Sequence, residues 1–238
     1  MEESSFGRLA GVLISPVRTF ESIRERPTWI APLVVLVVLA AGVSLIASPK
    51  VDWEDVLTTQ MEKSGREVSA EQVEGMVEFY ETWGLAVSAG TTGIGYPIGF
   101  LLFAGAFFVA FKVLGSDLTY KQSLATVLHG FMPFAVSLLL SLPIVLTAGE
   151  IGAEEIKSGS FLVSSLAAFA PEGASPVTLA VLSSLDFFSL WTVILLGIGF
   201  SVVAGVGRGM AFGVTLVFWA IWIGFKVVGA LIQGAFGG

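Results

Sequence analysis

The sequence contains no cysteine, a single histidine and few charges. Without cysteine there is no disulfide, no thiolate metal site and no thiol nucleophile, and the redox compartment leaves no mark. One histidine, His129, excludes a histidine-pair metal site. Charged residues make up 13% of the 238, where about 25% is usual. Twelve Lys and Arg stand against nineteen Asp and Glu, for a net charge of −7, with no basic cluster of the kind nucleic acid requires. What fills the chain is apolar. Hydrophobic residues are 55%; counting glycine and leaving out tyrosine, the share is about 65%, against about 45–50% in globular chains. A soluble core of this size cannot hide so much apolar surface. The expected class is an all-α integral membrane protein, with the lipid bilayer as its first partner and no cofactor implied.

Residues 29–48 hold no charge, and twenty helical residues reach across about 30 Å of hydrocarbon. A cleaved signal peptide is the competing reading. Glu2, Glu3, Glu21 and Glu25 make a poor start for one and no A-x-A site follows, so an uncleaved first span is expected. Four more spans follow at about 96–114, 122–146, 187–206 and 210–232. The second carries Lys112, the third His129 with kinks expected at Pro133 and Pro143, and the fifth Lys226. Gly115, Ser116 and Asp117 form one short turn; the run from Gly205 to Gly209 forms another, which makes the joined helices antiparallel neighbours.

Two segments lie outside the spans. Residues 1–27 are expected to be a cytoplasmic amphipathic arm: Phe6, Leu9, Leu13, Val17, Phe20 and Ile23 recur at helical spacing among Arg8, Arg18, Arg24 and Arg26. Ser15 and Pro16 read as a cap and a first-turn proline. Such a helix lies in the membrane interface with its basic side to the headgroups, or packs on the protein's own cytoplasmic face. Residues 28–238 form the transmembrane domain, with residues 49–92 as a helical outer loop. There Asp52 caps one short helix, Gly65 and Arg66 make a turn, and Ser69 with Gln72 forms a capping box. In the second helix Val73, Met76, Val77 and Tyr80 share one side. Glu71, Glu74, Glu78 and Glu81 form a stripe on another, a solvated face rather than a compact calcium loop. The four arginines before the first span dominate orientation, so the N-terminus is expected inside, and five spans leave the C-terminus outside.

The polar residues within the spans are the candidates for function. His129 sits four residues before Pro133, whose ring removes the helical bond to the His129 carbonyl. A neutral imidazole hydrogen-bonded locally is the expected state, with proton or substrate handling as the competing one. Asp186 precedes the fourth span and is placed to interact with its dipole. Lys226 is expected to snorkel outward. Gly197, Ser201, Gly205, Gly209 and Gly213 recur every four positions, a small-residue stripe for close helix packing. Glu154 and Glu155 are similar to the paired glutamates of intramembrane CAAX-type proteases, but Gly159 stands where that pattern has arginine. A rhomboid-type Gly-x-Ser-Gly is absent. No side-chain catalysis is expected.

Several landmarks together resemble the Yip-one domain family of Ypt/Rab-interacting membrane proteins. The opening is Ser15, Pro16, Phe20 and Ile23, then Pro27, Thr28, Trp29, Ile30, Ala31 and Pro32. The middle runs from Gly115 through Asp117, Tyr120 and Gln122 to Ala125, followed by Pro133. The end is Asp186, Phe187, Phe188 and Trp191, then Gly205 to Gly209 and Ala211, Phe212 and Gly213. The short N-terminus is similar to the bacterial branch. The resemblance implies a five-helix bundle with a cytoplasmic N-terminus in a bacterial cytoplasmic membrane. The vesicle-traffic role of the eukaryotic relatives is not carried over. The expected function is a non-enzymatic scaffold or adaptor with protein partners in the membrane, self-association among them. The competing class is a small transporter or channel with a polar site around the kinked third span.

Overall fold

The computed structural model describes residues 5–64, 69–153, 162–171 and 173–235. Among them the chain is helical, with only two isolated β-bridges, Val51 with Ile151 and Ser165 with Asp186. The helices are α1 (Ser5–Ile14), α2 (Pro16–Glu25), α3 (Ile30–Ala47), α4 (Trp53–Ser64), α5 (Ala70–Gly90), α6 (Tyr96–Val113), α7 (Tyr120–Gly130), α8 (Met132–Thr147), α9 (Pro176–Ser184), α10 (Phe187–Val203) and α11 (Arg208–Ala235). Four stretches are long and apolar enough to cross a membrane: Ile30–Lys50, Ala70–Val113, Tyr120–Thr147 and Arg208–Ile232. Helix α10 has 17 residues, at the lower limit of about 17–25 for a crossing. The chain is thus a multi-pass helical membrane protein.

Two compact units form. The first comprises Met1–Ala40, Thr92–Ser137 and Phe188–Ala220. Its core is aromatic. Phe107 stacks on Phe200 at 4.5 Å, Phe111 on Phe200 at 4.8 Å, and Phe218 lies 4.5 Å from Phe107. Lipid tails are as apolar as these rings, so the gain comes from close packing and ring geometry rather than dehydration.

The N-terminal arm belongs to this core. Val12, Phe20 and Ile23 are fully buried with Leu36, Phe107 and Phe200. One face of the arm therefore packs on its own protein, while Phe6 and Ile14 stay 71% and 81% exposed. Pro16 takes the first turn of α2 as expected, but the Ser15 side chain makes no cap bond. The expected basic face is also corrected at one position. Arg8 is buried, with Nη1 donating to the Arg26 carbonyl at 2.8 Å and to Thr28 Oγ1 at 3.0 Å. Arg8 precedes Val12 by four residues, which puts both on the same face.

Helix α7 opens with a capping box of Thr119 and Gln122. Every residue from Ser123 to Gly130 is buried. The third span then breaks at Phe131, and Pro133 falls in the first turn of α8, where its missing N–H costs nothing. Pro143 lies inside α8.

The second unit comprises Ala41–Thr91, Leu138–Phe187 and Ile221–Gly238. Asp52 accepts from the Asp55 N–H at 2.9 Å, and the Ser69–Gln72 capping box opens α5, both as the sequence predicts. The expected turn at Gly65 and Arg66 lies outside the described residues. Trp53 stacks on Tyr80 at 4.5 Å, and a Cβ on Gly84 would come within 3.5 Å of the Trp53 ring. Glu71, Glu74, Glu78 and Glu81 are exposed, as is Met76. Helix α5 does not stop before the second span. A π-helical turn, Thr91–Gly95, carries it into α6. The glycines there neither cap nor turn the chain, because the apolar run from Leu85 onward keeps the helix within one environment.

Candidate functional site

His129 lies in the first unit with its ring fully buried. Its Nδ1 is 2.8 Å from the Ala125 carbonyl oxygen. A carbonyl only accepts, so Nδ1 carries the proton and Nε2 is the bare acceptor. Among the described residues Nε2 has no hydrogen-bond partner, and the same holds for Arg8 Nε and Thr19 Oγ1. Elsewhere in the same unit the helices approach closely: a Cβ on Gly130 would come within 2.5 Å of Leu196 Cδ2, and one on Gly199 within 2.7 Å of Phe20 Cζ. The ring is thus satisfied at Nδ1 by its own helix and is closed to solvent.

Asp186 and Lys226 lie in the second unit. Asp186 stands immediately before α10, and its carboxylate accepts from Ser164 Oγ. The backbone holds this pair in place, with the Phe187 N–H donating to the Ser164 carbonyl at 3.0 Å. Lys226, expected to snorkel, has a polar partner. Its Nζ donates to Ser183 Oγ at 2.9 Å, within electrostatic reach of Asp186. A cation and an anion thus share one cluster with Ser164 and Ser183, which lowers the cost of each. Ser164 and Ser183 escaped sequence reasoning. The usable signal was their closeness to Asp186 across a turn-rich segment.

Lys50 was also missed. Its Nζ donates to the carbonyls of Val145, Leu146 and Ala148 at 2.8, 3.0 and 2.8 Å. Those carbonyls end α8, where a cation meets the negative end of the helix dipole. Two backbone bonds between the Lys50–Asp52 segment and Ile151 close the same clasp, and Asp55 accepts from the Ala153 N–H.

The small-residue stripe divides. A Cβ on Gly197 would lie 2.7 Å from the Phe212 ring, so that position needs glycine. Ser201 is half-buried and donates to the Ile198 carbonyl at 2.8 Å. Gly205 turns the chain with φ of 66°. At Gly209 and Gly213 a Cβ would meet nothing within 4 Å, so the expected close approach is missing there. Glu154 and Glu155 lie outside the described residues.

A family model described as Yip1 domain matches residues 10–229. The chain is 26% identical over 229 residues to a Bacillus subtilis (strain 168) protein described as "Membrane protein YknW", which covers 96% of this chain and 92% of that protein. No solved structure matches.

Proposed function

The chain belongs to the Yip1 domain family of membrane proteins, and on that premise we propose that it is a non-enzymatic scaffold or adaptor of a bacterial cytoplasmic membrane. In this reading it crosses five times, with the short α10 as the fourth span, its N-terminus inside and its C-terminus outside. The observation that carries the reading is the packed interior of the first unit. Stacked phenylalanines and a buried, locally bonded His129 occupy that interior, which supports an adaptor over a transport path. Beside that packed core the arm keeps Phe6 and Ile14 exposed, an apolar edge that suits protein partners or a second copy.

The test uses the absence of cysteine. Phe6→Cys, Ile14→Cys and Leu102→Cys, each carrying a photoactivatable crosslinker on the thiol, are irradiated in native membranes. Leu102 is an exposed control on α6. The expected result is one protein adduct of the same mass from positions 6 and 14, and lipid adducts alone from position 102. Lipid adducts alone from all three positions overturn the adaptor reading.

A further inference from the structure

From a groove in the first unit, lined by Val17, Ile198, Ser201, Val202, Arg208 and Phe212, we infer that the protein binds one anionic phospholipid. The groove holds about 250 Å³. Val17, Ile198, Val202 and Phe212 make its walls apolar, and the Ser201 hydroxyl is turned back onto the Ile198 carbonyl at 2.8 Å. The one charge lining it is the exposed Arg208. This layout matches an acyl chain lying along the walls with its phosphate on the guanidinium.

The surroundings decide which lipid. Three contacts draw the ends of several helices together here. Gln122 Nε2 donates to the Arg24 carbonyl at 2.9 Å, and Ser116 Oγ donates to the Ala204 carbonyl at 2.7 Å. The Arg24 guanidinium lies 3.4 Å from where a Cβ on Gly205 would sit. Arg18, Arg24, Arg26, Lys112, Lys121 and Arg208 belong to these segments, opposed by Glu21, Glu25 and Asp117. The net field is positive, which favours a headgroup with net negative charge over a zwitterion. The backbone adds to this. The first helical bond of α11 runs from the Ala211 N–H to the Gly207 carbonyl at 3.1 Å, and a Cβ on Gly207 or Gly209 would meet nothing within 4 Å. The N–H groups before that bond lie ahead of the helical ladder, at the positive end of the helix, beside Arg208.

The experiment titrates the full chain in neutral detergent with phosphatidylglycerol or phosphatidylcholine of matched acyl chains, counting bound lipids by native mass spectrometry. Thermal unfolding is followed alongside, with soluble glycerol phosphate as a third arm. One tight site is expected, preferring phosphatidylglycerol by about fivefold, the effect of one basic residue at a membrane surface. Arg208→Gln abolishes that preference and leaves the unfolding temperature without lipid unchanged. Val17→Trp, at the exposed rim, fills the groove and removes the site for both lipids. Equal binding of the two lipids overturns the inference, and so does a preference that survives Arg208→Gln. Stabilisation by glycerol phosphate equal to that by the lipid assigns the site to a free phosphate and overturns the lipid as occupant.

Discussion

A leucine at position 197 would drive its branches into the Phe212 ring, which already lies 2.7 Å from the Cβ position. Overpacking of this kind costs about 1–3 kcal/mol. Gly197→Leu is therefore expected to lower the detergent unfolding temperature, while Gly213→Leu, facing open space, leaves it within error of the parent. Equal losses at both positions would show that Gly213 is an interface after all. The four-residue spacing predicted close-approach faces on the helices either side of the turn, and only the face before it, at Gly197, meets a neighbour. Gly205 leaves the helix with positive φ, so the faces before and after it are set by different helices and the repeat no longer tracks one surface. At His129 the sequence was more informative, because Ala125 one turn earlier supplies the carbonyl that Nδ1 uses. His129→Asn keeps a neutral donor for that carbonyl in a smaller volume. The smaller side chain leaves a void, so a modest loss of stability, on the order of 1 kcal/mol, is expected, with the cellular phenotype kept. A well-folded His129→Asn protein without function would point to proton relay.

Among the elements, the arm shows how far periodicity reaches. Its spacing predicted one amphipathic helix with Pro16 in a first turn; the structure has two short helices, α1 and α2, divided at Ser15. Whether the apolar stripe faced lipid or protein was not legible, because both environments select the same residues. Phe20 now separates them. It is fully buried in the aromatic core, so Phe20→Ala is expected to cost about 3–5 kcal/mol and to depress the yield of folded protein. Phe6→Ser, on the exposed side, is expected to leave unfolding unchanged. A stable Phe20→Ala protein would show that the arm rests on the surface only. Deletion of residues 1–25 cannot serve as a clean test of partner binding, since it removes part of the core. The helix runs on into the second span without the break expected before it, for a different reason. Glycines and threonines at 90–95 look like punctuation, yet glycine inside a long apolar helix is tolerated where surrounding lipid offers no other backbone partner.

At the scale of the whole molecule, the hydrophobic runs were the most legible feature, since bilayer thickness sets their length directly. The 17-residue α10 and the unbroken Ala70–Val113 segment are where the length rule loses precision, because packing and interface helices also lengthen or shorten a run. Orientation is tested with single cysteines at exposed positions. Asp117→Cys and Gly207→Cys are expected to resist an impermeant thiol reagent in intact cells, and Ser69→Cys and Glu150→Cys to react. Ser116 is unsuitable, being buried against the Ala204 carbonyl. Labelling of Asp117→Cys from outside would invert the topology. The Lys50 clasp adds a temporal consequence. Its acceptors lie 95, 96 and 98 residues downstream, so at about 5–20 residues per second the ribosome delivers them roughly 5–20 s after the lysine. Until then the ammonium must be held by water or by whatever escorts the nascent chain. Closure of the clasp therefore acts as a clock, marking the moment when the first and third spans have both arrived.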